Sequence, residues 1–212
     1  MKLYFAGAEV ATHVQTINHA VPGANMLCAF SPNTKMASHL QGRNNDMFLD
    51  SGAFTAFTKG KTIDIDEYIA FIKQTKKLWN IYAGLDVIGN AAASSKNMRY
   101  MESKGLSPLP TFHFQSPEKD LKKLIDNYPY IALGGLVPIA RQRSMIQAWL
   151  DYCFSIIKTN TRVHGFGVNS FHIMKRYPFY SVDASSWIVH AQRLASVVVF
   201  ENGKLLAHGG YG

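Results

Sequence analysis

Five short segments place a residue able to bind or attack a polar substrate at the end of an apolar run. They are Leu49-Asp50-Ser51-Gly52-Ala53-Phe54, Gly84-Leu85-Asp86, Phe112-His113-Phe114-Gln115, Leu133-Gly134-Gly135-Leu136 and Val182-Asp183. The residue types suggest division of labour. Two carboxylates, Asp50 and Asp183, can share work at a sugar's anomeric carbon, one attacking while the other carries a proton. An amide such as Gln115 reads both donors and acceptors of a heterocycle. Gly134 and Gly135 expose backbone N–H and C=O groups to a planar ligand, and Phe54 offers a flat face for stacking. His113, two residues before Gln115, is a second polar candidate at this strand end. Each acid also has a plainer reading as a cap: Asp50 for the helix after it, Asp86 for a helix starting near Ser94, and Asp183 for the run Ala184-Ser185-Ser186.

Convergence of such distant segments requires a scaffold that gathers strand ends. Apolar or β-rich runs occur at Lys2–Ala8, Met26–Phe30, Met47–Ser51, Ile81–Asp86, Leu109–Phe114, Ile131–Gly134, Val163–Val168 and Tyr180–Asp183. Amphipathic stretches of helical period lie between them. Asp64 and Asp66 open one, with Ile65, Ile69, Ile72 and Leu78 on a shared face. Pro117-Glu118 opens another, with Leu121, Leu124 and Ile125 inward, and Met145, Trp149, Tyr152, Ile156 and Ile157 line a third. Strand–helix alternation implies parallel pairing through right-handed crossovers. About eight such units predict a compact TIM-like (β/α)8 barrel, whose active sites lie at the C-terminal ends of the strands. The polar stretch Ser31–Asn45 reads as a loop. Residues 195–208, with Asn202-Gly203 at the turn, read as a β-hairpin appended to the barrel. No linker or repeat divides the chain, so residues 1–212 read as one domain.

Composition narrows the classes. A hydrophobic content of 47% with 17% charged residues is that of a globular chain. Apolar runs fall short of the roughly 18 residues a membrane span needs. The segment Met1–Ala8 reads as a first strand rather than a signal peptide. The two cysteines, Cys28 and Cys153, sit in separate apolar segments, which predicts buried free thiols and a cytoplasmic, reducing setting. Two cysteines supply no Cys-rich zinc cluster, and the histidines lack metal-site spacing, so no metal is expected. The net charge of +8 favours a polyanionic partner. Cations cluster at Lys59 and Lys61, at Lys73, Lys76 and Lys77, at Lys119, Lys122 and Lys123, at Arg141 and Arg143, and at Lys175 and Arg176.

The stretches Leu49–Phe54, Gly84–Asp86, Gln115, Leu133–Leu136, Gly165–Gly167 and Asp183, in this order, resemble the tRNA-guanine transglycosylase superfamily. Within it the chain is most similar to the small phage enzymes that place 7-deazaguanines into DNA. That resemblance implies a pentosyltransferase acting by base exchange through a covalent aspartyl–nucleic acid intermediate. It casts Asp183 as nucleophile and Asp50 as general acid/base. It gives Asp86, Gln115, Gly134, Gly135, Phe54 and Ser51 to the base, with His113 and Asn169 as further candidates. The co-substrate would be a 7-deazaguanine base, with no other cofactor. Three departures stand out: the Cys/His zinc site of the tRNA enzymes is missing, the chain is much shorter, and Ala53 replaces a customary glycine. They favour DNA as the polymer, with tRNA the alternative. Two other classes stay open: a non-catalytic nucleic-acid-binding subunit, and a phosphate–sugar barrel enzyme that uses Gly165-Phe166-Gly167-Val168-Asn169. Sequence leaves oligomeric state undetermined.

Overall fold

The structure is a computed structural model. It describes all residues except 33, 41, 43, 44, 137, 138, 140, 141, 158, 159, 189–196, 202, 203 and 209–212, with backbone alone for 197–201 and 204–208. Strands and helices alternate: β1 (Lys2–Ala6), α1 (Ala11–Ala20), β2 (Asn25–Ala29), α2 (Met36–Leu40), β3 (Met47–Asp50), α3 (Ala53–Thr58), α4 (Ile65–Gln74) and β4 (Ile81–Tyr82). The second half runs α5 (Ala91–Ser103), β5 (Thr111–His113), α6 (Glu118–Asn127), β6 (Tyr130–Gly134), α7 (Arg143–Ile156), β7 (Arg162–Gly165), α8 (Phe171–Arg176) and β8 (Ser181–Ala184).

These eight strands form one parallel sheet in the order β4-β3-β2-β1-β8-β7-β6-β5. The sheet curls until its edge strands meet at the parallel bridge Ala83–Leu109. There Leu109 N–H donates to Tyr82 O at 2.8 Å and Gly84 N–H donates to Leu109 O at 2.9 Å. The arrangement is an α/β fold consistent with a TIM-like (β/α)8 architecture. Beyond it, β9 (Val197–Glu201) and β10 (Lys204–His208) pair antiparallel through their backbones. The turn expected at Asn202-Gly203 lies outside the described residues.

Side-chain alternation divides the core. Tyr4, Ala6, Leu27, Phe48, Ala83, Leu109 and Ala132 pack with one another inside the curl. The outward residues form two separate layers against the helices, one including Met26, Leu49, Tyr68 and Ile72, the other Phe112, Leu133, Leu150 and Val182. Asp50 follows Phe48 by two residues and Asp183 follows Ser181 by two. Each acid therefore inherits the inward direction of its strand, at the C-terminal end.

Helix starts follow their caps. Asp64 Oδ1 accepts from Asp66 N–H at 2.8 Å and from Glu67 N–H at 2.9 Å, starting α4 as its acids predict. The stretch read as a loop, Ser31–Asn45, contains α2, because Met36 and Leu40, one helical turn apart, are both buried. In α7, Trp149, Leu150 and Cys153 face inward whereas Met145 and Tyr152, expected there, are exposed.

The tightest local constraint lies after β3. Gly52 has φ of 71°, and a Cβ there would stand 2.1 Å from the Phe30 carbonyl oxygen. A side chain at this position meets both a disfavoured backbone region and a backbone clash. We expect Gly52→Ala to lower stability by about 2 kcal/mol or more, read from the shift in urea midpoint. An unchanged midpoint would refute this account of the β3–α3 turn.

Candidate active site

The C-terminal mouth of the sheet brings Asp50, Asp86 and Asp183 into one electrostatic neighbourhood. Gly52 N–H donates to Asp50 Oδ2 at 3.0 Å, and the negative charges of Asp183 and Asp86 act on the Asp50 carboxyl. Burial pushes that carboxyl up to about 7. The Gly52 hydrogen bond opposes the shift, and the Asp183 and Asp86 charges reinforce it. Asp50 is thus poised to gain and lose a proton near neutrality, as general acid–base work requires. Beneath it, the buried Tyr68 hydroxyl of α4 donates to Ala83 O at 2.9 Å.

Asp183 lives differently. It is 8% exposed, and its Oδ1 accepts from Gly167 N–H at 2.9 Å. His164 Nε2 lies 3.3 Å from the same oxygen. Its Oδ2 has no hydrogen-bond partner among the described residues. His164, fully buried on β7, is a member of the site that the strand-end reading passed over. It sits between Val163 and Gly165 in an apolar run, where a histidine resembles a satisfied core residue. Nothing along its own strand marks it, because its partners Ser181 and Asp183 lie on β8.

Asp86 lies four residues beyond β4 and pairs with His113, Nε2 to Oδ2 at 3.2 Å. The cap of α5 is Asn90, whose side chain accepts from Ala93 N–H at 3.0 Å, so Asp86 is not spent on capping. Gln115 stands apart. β5 ends at His113, Ser116 N–H turns back to His113 O at 3.0 Å, and Gln115 is exposed with φ of 67°. His113, not Gln115, makes the contact with Asp86. A left-handed non-glycine residue is uncommon and worth noting at a site.

The remaining candidates rim the same mouth. Ser51 is buried, and its Oγ accepts weakly from Ala53 N–H at 3.5 Å. Phe54 is 37% exposed, and Phe57, one turn on, is 58% exposed. Gly134 is buried at the end of β6, where its carbonyl accepts from Phe114 N–H at 3.0 Å. Gly135 is exposed with φ of 78°, and a Cβ there would crowd Phe114 N at 3.1 Å. Asn169 is exposed in the loop that also carries Gly167.

Among the described residues, no three His, Cys, Asp or Glu side chains are grouped to hold a metal ion. No described helix is long and apolar enough to cross a membrane. Cys28 and Cys153 are buried free thiols. No protein-family model and no curated protein matches the chain.

Two titrations test this electrostatic picture. The folded state holds the Asp50 proton to higher pH than the unfolded chain, so this group lowers stability as pH rises from about 4 to about 7. Asp50→Asn removes that cost. We expect the variant to be more stable than the parent at pH 8, on the order of a few kcal/mol, with the gain shrinking toward pH 4. Equal urea midpoints at both pH values would contradict it.

For His113, burial lowers the pKa while the Asp86 hydrogen bond and charge raise it, with a net rise. The stability from this pair is therefore full below about pH 6.5 and lost as pH climbs through the folded-state value. In Asp86→Asn we expect the imidazole to titrate below its ordinary value by NMR, and destabilisation to be greater at pH 6 than at pH 9. An unmoved His113 titration would refute the pairing.

Proposed function

We propose that this chain is a base-exchange transglycosylase that replaces guanine in DNA with a 7-deazaguanine base. The observation that carries the reading is the contrast between Asp50 and Asp183. Two carboxylates share one mouth, one with a carboxyl raised to about 7, the other held by backbone and imidazole groups on a single oxygen. Pairs whose environments diverge in this way divide proton transfer from nucleophilic attack.

In this mechanism Asp183 Oδ2 attacks C1′ as the C1′–N9 bond breaks. The bonding electrons leave with guanine, which takes the Asp50 proton. The incoming deazaguanine returns its N9 proton to Asp50 and attacks C1′, expelling the Asp183 carboxylate. Two inversions give net retention. The target nucleotide must leave its stack, at a cost of a few kcal/mol. Exposed Phe54 and Phe57 on α3 supply aromatic faces to receive it, with exposed Lys59 and Lys61 following for the phosphates. Other cations are partly spent: Lys122 pairs with Glu118 at 2.5 Å and Arg176 with Asp151 at 3.0 Å. Asp86, His113 and the Gly135 backbone remain to read the base edge.

DNA is preferred to tRNA because the two-cysteine sequence has no counterpart of the tRNA enzymes' zinc site. The buried thiols favour a reducing, cytoplasmic setting.

Purified protein given labelled 7-deazaguanine with duplex DNA and tRNA in competition should label the DNA. Asp183→Asn should lose this by at least about a thousandfold, as expected for a missing nucleophile. Label entering tRNA alone would move the activity to the alternative polymer. Salt-sensitive DNA binding without exchange would support the non-catalytic subunit instead.

A further inference from the structure

Within the curl of the sheet a chain of hydrogen bonds crosses from β6 to the mouth. The Tyr130 hydroxyl lies 2.5 Å from Ser181 Oγ, Ser181 Oγ lies 2.6 Å from His164 Nδ1, and His164 Nε2 lies 3.3 Å from Asp183 Oδ1. The His164 ring is clasped by Phe166 at 4.6 Å, Phe48 at 4.7 Å and Tyr4 at 6.1 Å between centroids. It is fully buried, so its ring plane is set by packing rather than by water.

We propose that His164, as the Nε2–H tautomer fixed by Ser181 and Tyr130, is the positioning residue that holds Asp183 Oδ1 and leaves Oδ2 to attack. The role in attack rests on the transglycosylase reading; the tautomer does not. In one direction along the chain every donor is used: Tyr130 O–H to Ser181, Ser181 O–H to His164 Nδ1, and Nε2–H to Asp183. In the reverse direction the bare Nε2 faces a carboxylate oxygen, lone pair against lone pair, and the Tyr130 proton loses its acceptor among the described residues. A buried unpaired donor of that kind is costly. Burial holds the Tyr130 phenol up at about 12, despite the opposing Ser181 hydrogen bond, so it keeps the proton that starts the chain.

Gly167 N–H also donates to Oδ1, so both donors act on one oxygen. As the Oδ2–C1′ bond forms and the C1′–base bond breaks, Oδ1 becomes the ester carbonyl oxygen without changing partners. When the incoming base breaks C1′–Oδ2, the carboxylate reforms in the same hydrogen bonds. The site needs no reorganisation between its two half-reactions.

Nitrogen NMR of the imidazoles tests this, with the His164 signal identified by its loss in His164→Gln. We expect a protonated Nε2 and a bare Nδ1, an Nε2 shift that moves in Asp183→Asn, and partial conversion to Nδ1–H in Ser181→Ala. An Nδ1–H tautomer in the parent protein would overturn the proposal, whether or not any variant folds. Kinetically, His164→Phe should slow formation of the DNA adduct by about tenfold to a hundredfold with KM little changed, the cost of a misplaced reacting group. His164→Gln, whose amide nitrogen can stand where Nε2 stood, should recover most of that rate. A wild-type rate in His164→Phe would also refute the role. Absence of any adduct in the parent protein would instead remove the transglycosylase reading, and leave the tautomer to be decided by the spectrum.

Discussion

Withdrawing a carboxylate from water costs free energy unless donors replace the lost solvent, and the organisation of this protein turns on how that cost is met at two strand ends. Asp183 is met by the Gly167 backbone N–H and by His164. Asp50 receives less, chiefly the Gly52 N–H, and the neighbouring charges of Asp183 and Asp86 work against it. The imbalance separates the two acids chemically although they occupy the same mouth. Strands carrying acids of matched solvation would show no such contrast.

The scaffold makes that separation durable. Phe48 and Tyr4 fill the interior below the mouth, edge to face at 5.6 Å, and press on the His164 ring. The polar relay from Tyr130 to Asp183 runs through this apolar packing, so its members have few alternative partners. Outside, two helical layers bury the opposite faces of the same strands. Gly52 completes the arrangement. Its left-handed backbone lets the chain turn against the Phe30 carbonyl and return an N–H to Asp50.

Much of this was legible in the sequence, for identifiable reasons. Strand–helix alternation prescribed the parallel sheet, and the ends of the apolar runs put Asp50 and Asp183 at its C-terminal mouth. The plainer reading of Asp86 as a helix cap falls away because Asn90, next to the start of α5, caps it instead. Gln115 was expected to follow directly on a strand running to Phe114, whereas β5 ends at His113, and it is the histidine that contacts Asp86. His164 escaped notice because its hydrogen-bond partners, Ser181 and Asp183, are distant from it in sequence. The helix α2 was hidden in polar sequence, where two buried residues sufficed to fold it. Positions set along one strand could be read in advance; contacts set by pairs of strands could not.

The central claim is that Asp183 forms a bond to DNA while Asp50 does not. Mass spectrometry of peptides from protein quenched during turnover on a DNA duplex addresses it directly. The expected result is a nucleotide mass attached to the peptide that contains Asp183, with the Asp50 peptide unmodified and the adduct absent in Asp183→Asn. Modification of the Asp50 peptide, or full exchange with no adduct on either, would contradict the account.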